Sequence, residues 1–204
     1  MSKMLAAVAA IGMMAATSAS AAVITFNNDT AGAKANGFVS ADSNAVAFSD
    51  SSGSNLIVDN FGSQTGNSKG LAVFNDDASR LVMTFTGLYT TLSLSFGNDD
   101  PGWTVPGNLA WLQLFNGATL VGTVSTVMNR NDVMDQVVSY AGAAFDRAEF
   151  FYGNAQGNPI NLIEMVDNVT FGGPVGVSAP AAMALFGAGL LGLGLVRQRR
   201  APAA

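Results

Sequence analysis

The segment Thr90–Phe96 alternates strictly between polar and apolar residues, and this period constrains the fold more than any other feature of the chain. Leu92, Leu94 and Phe96 point to one face, and the polar residues between them point to the other, as in a half-buried β-strand. Short apolar or alternating runs recur along the chain, separated by clusters of Gly, Asn, Asp and Ser. The predicted strands are 23–26, 37–40, 46–48, 55–58, 71–74, 81–86, 90–96, 109–115, 119–126, 136–140, 148–152 and 162–171.

This pattern predicts an all-β fold, an antiparallel β-sandwich of about ten strands that is jelly-roll-like, over residues 22–176. Turn signals such as Asn116-Gly117 and Gly157-Asn158-Pro159 separate the runs. A helix near Asn131–Gln136 would be too short to change the fold class. The sequence also predicts one segment on each side of this domain that is concerned with export.

The N-terminus has the layout of a secretory signal peptide over residues 1–21. Lys3 supplies the positive charge, Met4–Ala16 is apolar, and Ala19 and Ala21 are the small residues that signal peptidase recognises. The alternative is a retained membrane anchor. We favour removal after Ala21 because the apolar core is short for a span and small residues follow it directly.

The predicted β-domain is strongly acidic and has neither Cys nor His. All fourteen acidic residues of the chain lie in it, against five basic ones: Lys34, Lys69, Arg80, Arg130 and Arg147. Such a surface repels nucleic acid, so we expect no nucleic-acid partner. The absence of His and Cys excludes Ser-His-Asp and Cys-His catalysis and the usual zinc sites. The composition therefore predicts that the protein is not an enzyme.

The C-terminus combines three parts: a short motif at Val177, Ser178, Ala179 and Pro180, an uncharged run Ala181–Val196, and a basic cluster of Arg197, Arg199 and Arg200. Sixteen residues span about 24 Å as a helix, and part of 175–180 extends this toward the ~30 Å of a bilayer core. The arginines place this end in the cytoplasm and the β-domain outside. Ala184, Ala188 and Gly192 form a face of small side chains, either as undemanding filler or for contact with a membrane-embedded partner.

This segment, residues 177–204, resembles the PEP-CTERM sorting signal of Gram-negative bacteria. The usual motif of that family is V-P-E-P, whereas this chain has V-S-A-P, with Ser178 and Ala179 at the two middle positions. The resemblance implies an inner-membrane-anchored precursor whose domain lies in the periplasm. It also implies recognition by exosortase, an integral-membrane cysteine enzyme, and transfer to the cell surface. The alternative is an unprocessed C-terminal anchor, for which the proline-bearing motif would have no purpose.

Within the β-domain, Asp167 is the candidate metal ligand. It falls on the apolar face of the predicted strand 162–171, where burial of a lone carboxylate is unfavourable. A cation, backbone N–H groups or a bulge that turns the side chain outward would each resolve this. Oxygen ligands suit Ca²⁺, and Asp29 is the expected partner because the first and last strands of sandwiches often pair. The other acidic pairs, Asp76-Asp77, Asp99-Asp100 and Asp132 with Asp135, fit either turns or calcium ligands.

Trp103 is the candidate ligand-binding residue, on a loop after Asp99–Gly102. An exposed indole there could stack on a sugar ring, although aromatic residues more often hold a loop by being buried. Trp111 is predicted to be a core residue. Hydrolysis by paired carboxylates, with Glu149 and Glu164 as the available glutamates, is the least supported interpretation.

Sequence alone thus predicts an exported structural or adhesive protein of the cell surface, associated with exopolysaccharide as the PEP-CTERM resemblance implies. The alternative is a carbohydrate-binding module with a structural calcium.

The sorting hypothesis predicts where the mature chain ends. Intact-mass measurement of protein recovered from the cell surface should give an N-terminus at Ala22 and a C-terminus near 177–180. A chain that still ends at Ala204 would instead indicate a permanent anchor.

Overall fold

The computed structural model describes residues 21–174, and the predicted signal peptide through residue 20 and the sorting segment 177–204, with its membrane helix, lie outside them. In the described part, no helix is long and apolar enough to cross a membrane. Residues 21–174 form eleven strands and one 3-10 helix, Gly62–Thr65. The strands are β1 Ala22–Ile24, β2 Gly32–Lys34, β3 Phe38–Val39, β4 Val46–Asp50, β5 Leu56–Asn60, β6 Lys69–Val73, β7 Leu81–Gly97, β8 Leu109–Asn116, β9 Thr119–Val127, β10 Gln136–Gly153 and β11 Met165–Pro174.

Every strand pair is antiparallel, which confirms the predicted all-β antiparallel class. Hydrogen-bonded neighbours follow the order β2-β5-β6-β11-β7-β10-β8-β9. Strand β1 lies beside β11, β4 beside β7, and β3 beside β4. The first and last strands therefore pair, as expected from the sequence, with Ala22 opposite Phe171.

Strands β7 and β10 are long and change partners along their length. The first part of β7 lies between β4 and the last part of β10, and its second part lies between β11 and the first part of β10. Register shifts interrupt the β7–β10 pairing on both sides of Phe145. Bulges of this kind bend a strand, so the two long strands can run from one group of partners to the other.

The two groups of strands face a common core. The Phe96 ring, on the second part of β7, lies 5.9 Å from that of Phe150 and 6.2 Å from that of Tyr152, both on the last part of β10. The Phe85 ring lies 5.4 Å from that of Phe145 and 5.2 Å from that of Phe171. Phe85 is 6% exposed, and the other five of these aromatic residues are at most 1% exposed. The core therefore takes apolar side chains from both ends of each long strand.

Several predicted boundaries were wrong in an informative way. The predicted strands 81–86 and 90–96 are one strand, and so are 136–140 and 148–152. Strand β2 was not predicted, and residues 131–134 form bends rather than a helix. The predicted turn at Asn116-Gly117 is confirmed, since Asn116 pairs with Thr119 and Gly117 has φ +57°, the left-handed region that glycine tolerates.

The core predicts a large cost for truncation of Phe96. Phe96→Ala should lower the free energy of unfolding by about 3–5 kcal/mol, because it removes a fully buried ring that contacts Phe150 and Tyr152. Phe74→Ala is the matched control: that ring is 55% exposed, and its loss should change stability by about 0.5 kcal/mol or less. Urea unfolding of both variants checks this, and equal effects would contradict the assigned core.

Candidate functional site

A small open cleft of about 110 Å³ lies where three connecting segments meet. These are the β6–β7 loop, the loop that follows β7, and the segment that leads into β11. The cleft is lined by Asp76, Asn98, Asp100, Trp103, Leu162 and Ile163. It therefore combines two carboxylates and an amide with an aromatic ring and two aliphatic side chains.

The Asp99 side chain anchors the β7–β8 loop, which carries three of the six cleft residues. This carboxylate is 1% exposed and accepts hydrogen bonds from the backbone N–H of Arg130 at 2.5 Å and of Asp132 at 2.9 Å. Both donors have left-handed backbone conformations, with φ of +62° and +59°. The Asp99 side chain thus joins the β7–β8 loop to the β9–β10 loop.

The Arg130 side chain forms a second link between the β9–β10 loop and the β7–β8 loop. Its Nε donates to Thr104 Oγ1 at 3.1 Å, and its Nη2 donates to the carbonyl oxygens of Thr104 at 2.8 Å and Pro101 at 2.9 Å. All of these acceptors belong to the β7–β8 loop. Because the donors of an arginine form a planar fork, these contacts fix the direction of the loop.

Trp103 stands on this fixed backbone with its side chain in solvent. The backbone N–H of Trp103 donates to the Asp100 carbonyl at 3.1 Å, and the backbone N–H of Gly102 donates to Asp100 Oδ1 at 2.5 Å. Residue Trp103 is 69% exposed, so it does not hold the loop by burial, which was the use favoured from sequence. On the other wall, Asn98 Nδ2 donates to the Ile163 carbonyl at 2.8 Å and joins the two sides of the cleft.

Trp111 is not a core residue, contrary to the prediction. On β8 its neighbours Ala110 and Leu112 are fully buried, so the intervening side chain points to the outer face of the sheet. There it lies parallel to Phe151, with ring centroids 6.4 Å apart, and its Nε1 donates to the Asn154 carbonyl at 3.1 Å. Trp111 therefore supports the β10–β11 connection from outside.

Asp167 lies on β11 and is 4% exposed, so of the three alternatives left open by the sequence, a side chain turned outward is excluded. It sits at a register shift in the β7–β11 pairing, before Asn168 with φ +50°. Its Oδ1 accepts the Asn168 N–H at 2.7 Å, and its Oδ2 is 3.4 Å from Ser68 Oγ. Burial raises the pKa of Asp167 to about 6, and these hydrogen bonds only partly oppose that rise.

Asp29, the expected partner of Asp167, has hydrogen-bond donors of its own. It is 6% exposed on the loop after β1, where it accepts from Ser40 Oγ at 2.6 Å and from the Ala41 N–H at 2.8 Å. Across residues 21–174, no group of three or more acidic side chains is close enough together to hold a metal ion. Calcium at Asp167 with Asp29 therefore stays a prediction.

The two glutamates are in very different surroundings. Glu149 forms ion pairs with Arg80 at 2.6 Å and with Arg147 on the outer face of the sheet. Glu164 is fully buried beside the cleft segment 162–163. Neither arrangement resembles an exposed pair of carboxylates.

Comparison with known proteins gives only distant likenesses. No protein-family model and no curated protein matches the chain. Among solved structures, a variant of CBM29-2, a family 29 carbohydrate-binding module, is 14% identical, with 74% of this chain and 91% of that chain covered at a TM-score of 0.38. The Stig cyclase Fisc from Fischerella sp. TAU is 12% identical, with 76% and 99% covered at a TM-score of 0.40. These likenesses are too weak to carry an argument about function.

The raised pKa of Asp167 predicts a pH dependence of stability. The folded state binds the proton more tightly than the unfolded state, whose pKa is near 3.8, so this contribution is complete below about pH 4 and is lost as pH rises through about 6. The free energy of unfolding of Asp167→Asn, relative to that of the unmodified protein, should therefore increase as pH rises from 4 to 7. Chemical unfolding across this range measures the difference.

Asp42→Asn is the matched control with the opposite sign. Burial acts to raise the pKa of Asp42, but hydrogen bonds from Thr25, Asn28 and Phe26 together outweigh it and lower the pKa. This carboxylate stabilises the fold above its unfolded pKa, and the contribution is lost as pH falls. The asparagine variant should therefore be less stable at neutral pH. The same pH slope in both variants would contradict the assignment.

Proposed function

We propose that this chain is an exported, surface-directed β-domain that binds carbohydrate and serves as an adhesive or structural protein in an extracellular polysaccharide matrix. One observation carries the proposal: the indole of Trp103 is 69% exposed beside a cleft lined by Asp76, Asn98 and Asp100. Sugar rings offer apolar C–H faces to aromatic rings, and their hydroxyls bond to carboxylates and amides. The cleft supplies both kinds of group within one small area.

The support beneath Trp103 favours a binding role over an accidental exposure. Asp99 and Arg130 fix the backbone that presents the indole, so little ordering of the loop is needed when a ligand binds. An aromatic side chain on a preorganised loop contributes contact area at low entropic cost.

The size and charge of the cleft indicate the kind of glycan. A volume of about 110 Å³ is well below the ~300 Å³ of a site that encloses a small molecule, so contact with the side or end of a longer chain fits better. Asp76 and Asp100, within a strongly acidic domain, favour a neutral polysaccharide over an anionic one.

We also propose that the fold is a β-sandwich of jelly-roll type. The partner exchange along β7 and β10 and the ring contacts across the core support two facing layers. Export by a signal peptide, tethering at the inner membrane and exosortase-type sorting remain part of the proposal on the strength of the terminal sequences.

A purely structural role through self-association is the second candidate. Strand β9 ends the order of paired strands, and its Leu120 and Val127 are 50% and 59% exposed. Exposed apolar residues on such a strand favour pairing with another chain.

A glycan array followed by calorimetry on the full chain in mild detergent tests the carbohydrate proposal. Trp103→Ala should weaken binding of the selected glycan by at least about tenfold, because an aromatic side chain at the centre of a site commonly contributes 2 kcal/mol or more. Trp103→Phe should retain part of the affinity. Phe74→Ala is the control, since Phe74 is exposed but does not line the cleft.

Two outcomes would overturn this proposal. One is a Trp103→Ala variant that binds as tightly as the unmodified chain. The other is a folded protein that binds no glycan on the array but associates in a concentration-dependent way that Leu120→Ser abolishes, which would favour the structural role.

A further inference from the structure

Glu164 is buried without a partner. It directly precedes β11, is 0% exposed, and neither of its carboxylate oxygens has a hydrogen-bond donor. Among the described residues the salt bridges involve only Glu149, so no basic side chain neutralises Glu164. A buried carboxylate in this state is strongly unfavourable unless another group binds it.

One backbone hydrogen bond places Glu164 beside the end of β6. Its main-chain carbonyl oxygen accepts from the Val73 backbone N–H at 3.0 Å, where the β6–β7 loop begins. Asp77 and Ser79 follow within six residues, and the Ser79 N–H donates to Asp77 Oδ1 at 2.8 Å. The hydroxyl of Ser79 is itself buried and has no hydrogen-bond partner.

The β4–β5 loop closes the same region from the other side. The Phe74 N–H donates to the Asn55 carbonyl, and the Arg80 N–H donates to Ser51 Oγ, so both ends of the β6–β7 loop are joined to it. Asp50 is the last residue of β4, directly before this loop; it is 4% exposed and accepts three hydrogen bonds from Ser52 and Ser54. Its charge is thus near, but its oxygens are already occupied.

The charges nearest to Glu164 in effect are negative, and no basic side chain of the described residues pairs with it. Burial raises the pKa of Glu164 well above its usual range, and the charges of Asp50 and Asp77 raise it further. The backbone amides of Glu164 and Tyr152 oppose this rise from nearby, yet neither forms a hydrogen bond of normal geometry with the carboxylate.

We propose that this cluster binds one Ca²⁺ ion, with the Glu164 carboxylate and the Ser79 hydroxyl as buried ligands and Asp77 as the second carboxylate. Ca²⁺ accepts six to eight oxygen ligands of mixed type, so backbone carbonyls and water complete a site that has only two carboxylates. Among residues 21–174 no third acidic side chain joins such a group, so the remaining ligands must be neutral oxygens. The site is distinct from the one predicted at Asp167.

The ion would have a consequence for the cleft. Asp76, which lines it, is adjacent to Asp77, and Ile163, which also lines it, is adjacent to Glu164. Calcium would therefore hold two walls of the cleft at once. The proposal goes beyond carbohydrate binding and does not depend on it, because the metal can be measured without any glycan.

Calorimetric titration of CaCl₂ into the chelator-treated full chain in mild detergent tests the site. We expect one Ca²⁺ per chain and a rise in melting temperature with calcium. Glu164→Gln and Asp77→Asn should each weaken binding by at least about tenfold, since each replaces a charged carboxylate ligand by a neutral amide. Asp59→Asn, at a carboxylate on β5 that bonds its neighbour Asn60, should leave the affinity unchanged.

If Glu164→Gln fails to fold, Asp77→Asn still tests the site. Asp77 is only partly buried, and the asparagine side chain keeps an oxygen that can accept the Ser79 N–H. A folded, unmodified chain with no heat and no thermal shift at about 5 mM calcium, a high concentration even for weak extracellular sites, would overturn the proposal. In that case the Glu164 carboxyl group is protonated in the folded protein and binds no metal ion. Loss of binding in Asp167→Asn but not in Glu164→Gln would also overturn it.

Discussion

The pairing of β7 with β10 is the interaction on which the rest of the structure depends. Each strand is long enough to serve two groups of partners, and the register shifts around Phe145 let both strands bend between them. With no cysteine in the chain, no disulfide can hold the two groups together, so the shared aromatic core must do so. The cleft loop begins where β7 ends, at Asn98, and the loop that supports it leads into β10.

The fold class could be predicted from the sequence because period-two burial is a local property. Leu92, Leu94 and Phe96 are buried as their alternation indicated. The continuity of the strands could not be predicted. In β7 the buried positions are odd-numbered as far as Phe85 and even-numbered from Leu92 to Phe96, and a bulge that shifts this phase looks like a turn in a sequence. Strand β2 has only three residues and no apolar run, so nothing marks it.

Those parts of the site that depend on local sequence could also be predicted. Trp103 and the acidic turns around it could be found from residue type, and the burial of Asp167 from its place in an alternating strand. Which way the indole points depends on Asp99 and Arg130, more than twenty residues apart, and no local pattern reports such contacts. The burial of Glu164 was not predicted, because alternation over the predicted strand 162–171 puts it on the face opposite to Asp167.

Strand β11 has a mechanical consequence for the matrix role proposed above. It begins beside the cleft residues Leu162 and Ile163 and ends at Pro174, so the cleft adjoins the start of about 30 Å of strand. In the proposed role, tension between a ligand in the cleft and the chain that follows Pro174 would run along β11. Its hydrogen bonds to β1 and β7 are perpendicular to that force, so they resist it together in shear and do not open one at a time.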